Sequence, residues 1–310
     1  MSTQQVVQPS ETRSERVAEL RGLVRRLHTS NNIATVILWV LMGIVTLIFV
    51  GIIVLLLFRG LAYVVNPSFY DTSITGVGVE VFNTFYILIL TEIFLFPISL
   101  AAAIYLIEYA SQSRFLSVVH FAAETLAGVP SIVLGLFGVL VFSDLLNLHT
   151  SRIAGALTLL CLNFPLALRL FEAALSAVPR DLREAGLALG ATKWRVIRDV
   201  VLPSAIPGLV TGLILSAGRV IGEAAALLFT MGLTNPTGTT FSLDPTIASD
   251  TLTTHLYFII GPGGGSTSLT HAQEIAIAAG SSALLIIILL LINLVARTLG
   301  RYIERRVTAA

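Results

Sequence analysis

The sequence predicts an all-α protein that crosses a membrane six times, and three observations carry that prediction. First, 55% of the 310 residues are hydrophobic and only 12% are charged, about half the charged share of a soluble domain. The mean hydropathy is +0.88. A globule of this size would lack the polar residues to coat its cores. Second, the apolar residues gather into six segments suited to crossing ~30 Å of hydrocarbon, which takes about 20 residues of helix. Third, the basic residues fall almost entirely into alternate connections between those segments. The single cysteine, Cys161, excludes a disulfide framework within the chain and a zinc site of several cysteines.

The six segments cover residues 33–58, 81–106, 115–142, 153–168, 206–230 and 275–296. The first is free of charge; the fourth is short and carries Asn163 and Pro165. Of 19 Lys and Arg, five precede segment 1, Arg114 lies between segments 2 and 3, six lie between 4 and 5, and four follow segment 6. Only Arg59 and Arg152 fall on the other side, with Arg219 inside segment 5. The positive-inside rule therefore places both termini and the 4–5 connection in the cytoplasm. Residues 1–32 form a cytoplasmic N-terminal segment and 297–310 a cytoplasmic tail. Val17, Leu20, Val24 and Leu27 recur at helical spacing among arginines, which predicts a helix lying on the inner membrane surface; a solvated tail is the alternative. The first dozen residues are polar and expected to be disordered. No small-residue cleavage pattern follows segment 1, so a removable signal peptide is not expected.

Chemistry that needs its own motif is absent. A phosphate-cradling G-x-x-x-x-G-K-[ST] loop requires lysine beside its glycines, and the one lysine, Lys193, precedes Trp194. The cluster Gly261, Gly263, Gly264 and Gly265 has no lysine near it and reads as a flexible outer loop. No H-E-x-x-H or G-x-S-x-G motif occurs. The chain is not expected to be an enzyme or to bind a cofactor; no metal spacing is visible, and His255 and His271 are expected to face outside.

The 4–5 connection, residues 169–205, holds a second amphipathic stretch. Pro179 precedes Arg180 and Asp181, while Leu182, Ala185 and Leu189 share one helical face. Gly190 can adopt the positive φ that ends a helix. A short helix parallel to the membrane would then turn into segment 5, its apolar face seeking a partner's groove or, alternatively, anionic lipid. Glu184-Ala185-Gly186, three residues, Gly190, nine residues, then Val200-x-Leu202-Pro203 resembles the EAA loop of bacterial ABC importer permeases, E-A-A-x3-G-x9-I-x-L-P. Gly186 and Val200 depart mildly from it. The resemblance implies that this loop is the coupling helix docking into an ATPase subunit, with Glu184, Ala185, Gly186, Gly190, Leu202 and Pro203 as its positions.

Further stretches narrow the likeness. Residues 102–110 (AAIYLIEYA), 127–138 (AGVPSIVLGLFG), 219–230 (RVIGEAAALLFT) and 252–257 (LTTHLY) together resemble the PstA-type permeases of phosphate-specific ABC importers. That resemblance implies a type I ABC importer transmembrane domain in a bacterial or archaeal cell membrane. It also implies inorganic phosphate as substrate and a homologous permease as heterodimer partner. Two ATPase subunits holding ATP and Mg and an external phosphate-binding protein would complete the assembly, and no nucleic acid is expected.

Charges inside segments are the candidate pathway residues. Arg219 lies beside the midpoint of segment 5, where a lone arginine costs roughly 3 kcal/mol. Glu223 follows one helical turn later on the same face. They form either a packing salt bridge or an anion contact, and guanidinium suits bidentate phosphate recognition. Glu92 in segment 2, a departure from the family pattern, and Glu124 in segment 3 could pair with Arg219, pair with a partner permease, or stay protonated. Gly128-Val129-Pro130-Ser131 could break segment 3 and offer backbone amides or merely kink it; Gly135 and Gly138 read as packing positions. Three alternatives stay open: a permease for sulfate or molybdate, a carrier driven by an ion gradient without an ATPase, and an added phosphate-sensing role.

Overall fold

In a computed structural model, residues 9–73, 75–110, 114–232, 241–261 and 269–308 are described. All regular structure among them is helical. The chain divides into two units, residues 1–55 and 56–310.

The first unit is most of helix α1 (Pro9–Val64). Its 56 residues form one unbroken helix, about 80 Å long at 1.5 Å per residue. The arginine-bearing stretch expected to lie flat on the membrane is thus helical but continuous with the first span; residues 9–12, expected to be disordered, are helical as well, and residues 1–8 lie outside the described ones. Side chains from 30 to 55 are almost all exposed, Trp39 at 72% and Leu47 at 74%. A stretch of helix that is apolar all round is suited to meet lipid or a partner chain.

The second unit is built around its most buried long helix, α5 (Arg152–Ser176). α5 packs against α2 (Gly78–Ile104), α3 (Arg114–Ala127), α4 (Ser131–Gly138), α8 (Leu202–Gly222) and α9 (Ala225–Thr230). Its small residues Ala154, Gly155, Ala156, Ala167 and Ala174 let those helices approach. The long α11 (His271–Thr308) packs on α8 and on the short α10 (Leu252–Ile260).

Two spans are not the continuous helices that hydropathy suggests. Segment 3 is two helices, α3 and α4, bent by 100° at Gly128-Val129-Pro130. Pro130 lacks the N–H that would continue the ladder and caps α4 with φ −58° and ψ 137°. A Cβ on Gly135 would sit 2.9 Å from the Ala226 Cα, and one on Gly138 would overlap Thr158. Both glycines therefore set how closely α4 meets α9 and α5. Segment 5 is interrupted too: α8 ends at Gly222 and the chain restarts as α9. At its other end α8 begins earlier than 206, joined through a π turn (Ile197–Val201) to α7 (Lys193–Val196). The fourth span runs on to Ser176, past the expected boundary at 168. Among the described residues, counting the bent pair as one span, six helical segments are long and apolar enough to cross a membrane.

Arg152, counted above only as a charge, is fully buried at the start of α5. Its Nε donates to Ser249 at 2.9 Å and its Nη2 to the Asn83 side chain at 2.6 Å. Nη1 donates to the carbonyls of Ser242 and of Asp244, the latter at 3.2 Å. The guanidinium also lies 4.8 Å from the Tyr86 ring centroid. One side chain thus ties α5, α2 and the 241–250 connection. Replacing it by a similar apolar stem, Arg152→Met, strands these buried acceptors and should destabilise the fold by about 3 kcal/mol. Thermal unfolding in detergent should show a clear fall in Tm, while the exposed Arg114→Met changes little.

Candidate functional site

The connection between α5 and α7 folds as a short helix held from below. α6 (Arg180–Ala188) starts after Pro179 and leaves no residue fully buried. Leu182, Ala185 and Leu189, the face expected to be apolar, are all exposed, Leu189 at 89%. Glu184 is exposed as well. The opposite face is anchored. Arg183 makes an ion pair with Glu108, at the end of the second span, at 3.1 Å. It also donates to the carbonyls of Leu175 at 2.7 Å and Val178 at 3.1 Å, so it satisfies the end of α5 as well as α2.

The turn after α6 requires Gly190. Its φ is +78°, a region costly for residues with a Cβ. Gly190 N–H donates to Leu187 O at 2.9 Å and Ala191 N–H to Gly186 O at 3.3 Å, the paired bonds of a Schellman motif. Thr192 then caps α7, accepting from Arg195 N–H at 3.4 Å. Gly186 has its own reason. A Cβ there would come within 2.9 Å of the buried Val196 side chain, so this chain's departure from alanine seats α6 closely on α7. Val200 and Leu202 pack on the core cluster around Phe171, Leu175 and Val201. Pro203, unable to donate, follows the π turn in which Leu202 N–H bonds to Ile197 O.

Of the four candidate charges, Arg219 and Glu223 do not form the expected one-turn pair, and Glu92 and Glu124 find partners other than Arg219. Glu223 does not stack one turn from Arg219: the helix ends at Gly222, and Glu223 is extended at φ −79° and ψ 129°. Its carboxylate accepts from Ala226 N–H at 3.2 Å, capping α9, and its carbonyl accepts from Thr253 Oγ1 at 3.0 Å. Arg219 is exposed on this chain, and among the described residues no carboxylate lies within ion-pair distance of it. Glu124 pairs with Arg169 of α5 at 2.8 Å rather than with Arg219. Glu92 accepts from Ser216 Oγ of α8 at 2.9 Å, which sets it three residues before Arg219 along that helix. The cluster of glycines at 263–265 lies outside the described residues.

His255, expected at the surface, is instead enclosed beside Asp250 and Glu80. Hydropathy and local spacing gave no sign of this, because Glu80 is 170 positions away from Asp250 in sequence. His271 is exposed, as expected, near Glu274 at 3.6 Å.

A helical membrane core that presents an anchored amphipathic helix outward from one connection has the build of an importer's transmembrane subunit. Residues 96–309 match the family described as binding-protein-dependent transport system inner membrane component, and the chain belongs to that family. It is 36% identical over 294 residues to the probable ABC transporter permease protein YqgI of Bacillus subtilis, covering 90% of this chain and 98% of that one. It is 34% identical over 221 residues to the phosphate transport system permease protein PstA 1 of Mycobacterium tuberculosis (strain H37Rv), covering 68% and 71%. Over 134 residues it is 40% identical to the phosphate transport system permease protein PstA of Xylella fastidiosa, covering 43% and 47%. In fold it is similar to the inward-facing MetNI methionine ABC transporter, with a TM-score of 0.57 at 20% identity over 73% of this chain and 97% of that one. The fold is therefore that of type I ABC importer permeases. The chain is a multi-pass inner-membrane permease subunit working with a binding protein and a separate ATPase, and it is not itself an enzyme.

Gly190→Ala should destabilise the turn by about 1–2 kcal/mol through its positive φ, and Gly190→Asn by less, since asparagine tolerates that region. Amide hydrogen exchange across residues 180–192 should speed up in the order wild type, Asn, Ala.

Proposed function

We propose that this chain is one transmembrane half of an ATP-driven importer of inorganic phosphate. The observation that carries the reading is Arg219. It is a guanidinium set among apolar residues, exposed toward whatever covers α8, with no carboxylate of its own chain within ion-pair distance among the described residues. A planar fork of donors suits the oxygens of phosphate. Similarity to permeases named for phosphate transport supports the substrate. Glu223 serves the site indirectly, by capping α9 and so holding open the break beside Arg219; Glu92 positions the neighbouring turn of α8 through Ser216.

A homologous permease pairs with this chain as a heterodimer and covers the exposed face of α8. α6 is the coupling helix, and Leu182, Ala185 and Leu189 enter a groove on one of two ATPase subunits. Those subunits hold ATP and Mg; this chain binds neither. Both termini and α6 lie in the cytoplasm, following the basic residues, and a phosphate-binding protein docks outside. Closure of the ATPase dimer on ATP shifts the permease pair between inward-open and outward-open states.

Two variants separate the path from the drive. Arg219→Gln should lower phosphate uptake in proteoliposomes by at least about 30-fold, as loss of a buried charge contact does, while ATPase subunits still co-purify. Normal uptake by that variant would remove Arg219 from the pathway. Gly190→Asp should abolish both ATPase docking and the stimulation of ATP hydrolysis by phosphate-loaded binding protein. Unlabelled sulfate or molybdate should fail to compete with phosphate; effective competition would assign another oxyanion.

A further inference from the structure

Beyond the pathway and the docking helix, one cluster of ligating side chains has no part in the proposed function. Glu80 sits in the first turn of α2, Asp250 just before α10, and His255 in the first turns of α10. Glu80 and Asp250 are 8% and 3% exposed. One ligand atom from each of the three residues lies within 4.8 Å of the others. His255 Nδ1 is 3.0 Å from Asp250 Oδ2 and 3.8 Å from Glu80 Oε1. In a tetrahedral site with bonds near 2.0–2.1 Å, ligand atoms stand about 3.3 Å apart. These three atoms already bracket that spacing.

The backbone that carries them is fixed independently of any ion. Asn83 Nδ2 donates to the Asp250 carbonyl at 2.9 Å, and Leu252 N–H donates to Thr84 Oγ1 at 2.9 Å. Thr251 and Thr254 close a capping box on α10. The neighbouring guanidinium of Arg152 is directed at Ser249, Asn83 and the carbonyls of Ser242 and Asp244. The sequence from Met231 to Glu274 contains no Lys or Arg. Two carboxylates thus share a buried spot with an imidazole, on a scaffold held rigid by its own hydrogen bonds. Placement of ligands by a supporting shell is what a metal site requires.

We propose that Glu80, Asp250 and His255 form a binding site for a divalent transition-metal cation of the zinc type, which staples α10 to the first turn of α2. One imidazole with two carboxylates is a borderline nitrogen and oxygen donor set, suited to zinc, cobalt or manganese and not to calcium, which takes oxygen ligands alone. The staple joins the connection between α9 and α11 to the span that carries Glu92, so its occupancy sets how firmly that connection is held.

The test uses the full-length chain in the assembled importer, with zinc and cobalt as probes. Metal content after gel filtration should be about one zinc per permease chain above the level in His255→Gln. Titrated cobalt should give a tetrahedral visible absorption in wild type, and affinity should fall at least about tenfold in His255→Gln and Glu80→Gln. Zinc should also raise the Tm of the wild type and not of either variant, a readout that stands even if a variant is less stable on its own. Equal metal content in wild type and His255→Gln, or no binding at micromolar zinc, would overturn the site; the cluster would then be a protonated histidine clamp only.

Discussion

In hydrocarbon a backbone N–H or C=O has no water to turn to, so every interruption of a membrane helix must be satisfied by the protein itself. The arrangement of this chain depends on how it meets that constraint. At the end of α8, Val220 O accepts from Glu223 N–H, the Glu223 side chain accepts from Ala226, and Thr253 bonds the Glu223 carbonyl. An acidic residue and a threonine from a remote connection thereby replace the missing turn of helix. At Gly128-Val129-Pro130 the imino residue removes one donor, and Pro130 O accepts from both Val133 and Leu134 to start α4. Each break is stable because polar side chains or proline stand where the helix stops. At Gly128-Val129-Pro130 the chain also turns by 100°.

The two ends of the helical core are tied by different chemistry. Around Arg152 the bonds run from a guanidinium to neutral acceptors: a serine, an asparagine and two carbonyls. Around α6 they are ion pairs between helices, Glu108 with Arg183 and, from α3 to α5, Glu124 with Arg169. Glu124 and Arg169 are both more than half exposed, so that pair contributes little to stability and is easily exchanged. Glu108 and Arg183 are mostly buried, and breaking that pair leaves a charge without compensation. The firm link to α6 is thus the one that runs to α2.

The sequence made the class of fold plain because hydropathy and basic residues are collective signals, averaged over many positions. The short helix α6 was legible for a local reason: Pro179, the apolar face and Gly190 act within one short stretch, and Gly190 does adopt the positive φ its position calls for. What stayed hidden needed distant partners. Arg219 and Glu223 look like a one-turn pair only if the helix continues, and nothing within a few residues announces that Glu223 will cap α9 instead. Glu124 found Arg169, and Glu92 found Ser216, across helix packings that no periodicity encodes. His255 read as a surface residue because Glu80, which helps enclose it, comes from the far end of the core, and its neighbour Asp250 five residues earlier gave no sign of burial on its own. Arg152 was counted as a charge outside the membrane, though a lone basic residue at the start of a span could have prompted the question of what receives it.

These placements connect α6 to the surroundings of Arg219 through α8 and α2, besides its anchorage on the end of α5. α6 is seated on Val196 by the close approach at Gly186, and from Lys193 the chain is helical to Gly222. α6 therefore contacts the same helical run that carries Arg219. Through Arg183 and Glu108 it acts also on α2, which carries Glu92. The two helices meet again where Glu92 accepts from Ser216, less than one turn from Arg219. A displacement that moved α8 without α2 would have to break either the buried ion pair at one end or the Glu92 hydrogen bond at the other. The π turn at Ile197–Val201 lies between α6 and Arg219, where the hydrogen bonds are already out of α register. Under the proposed coupling role of α6, a force on it reaches the neighbourhood of Arg219 through this helical run and, by way of the Arg183–Glu108 pair, through α2.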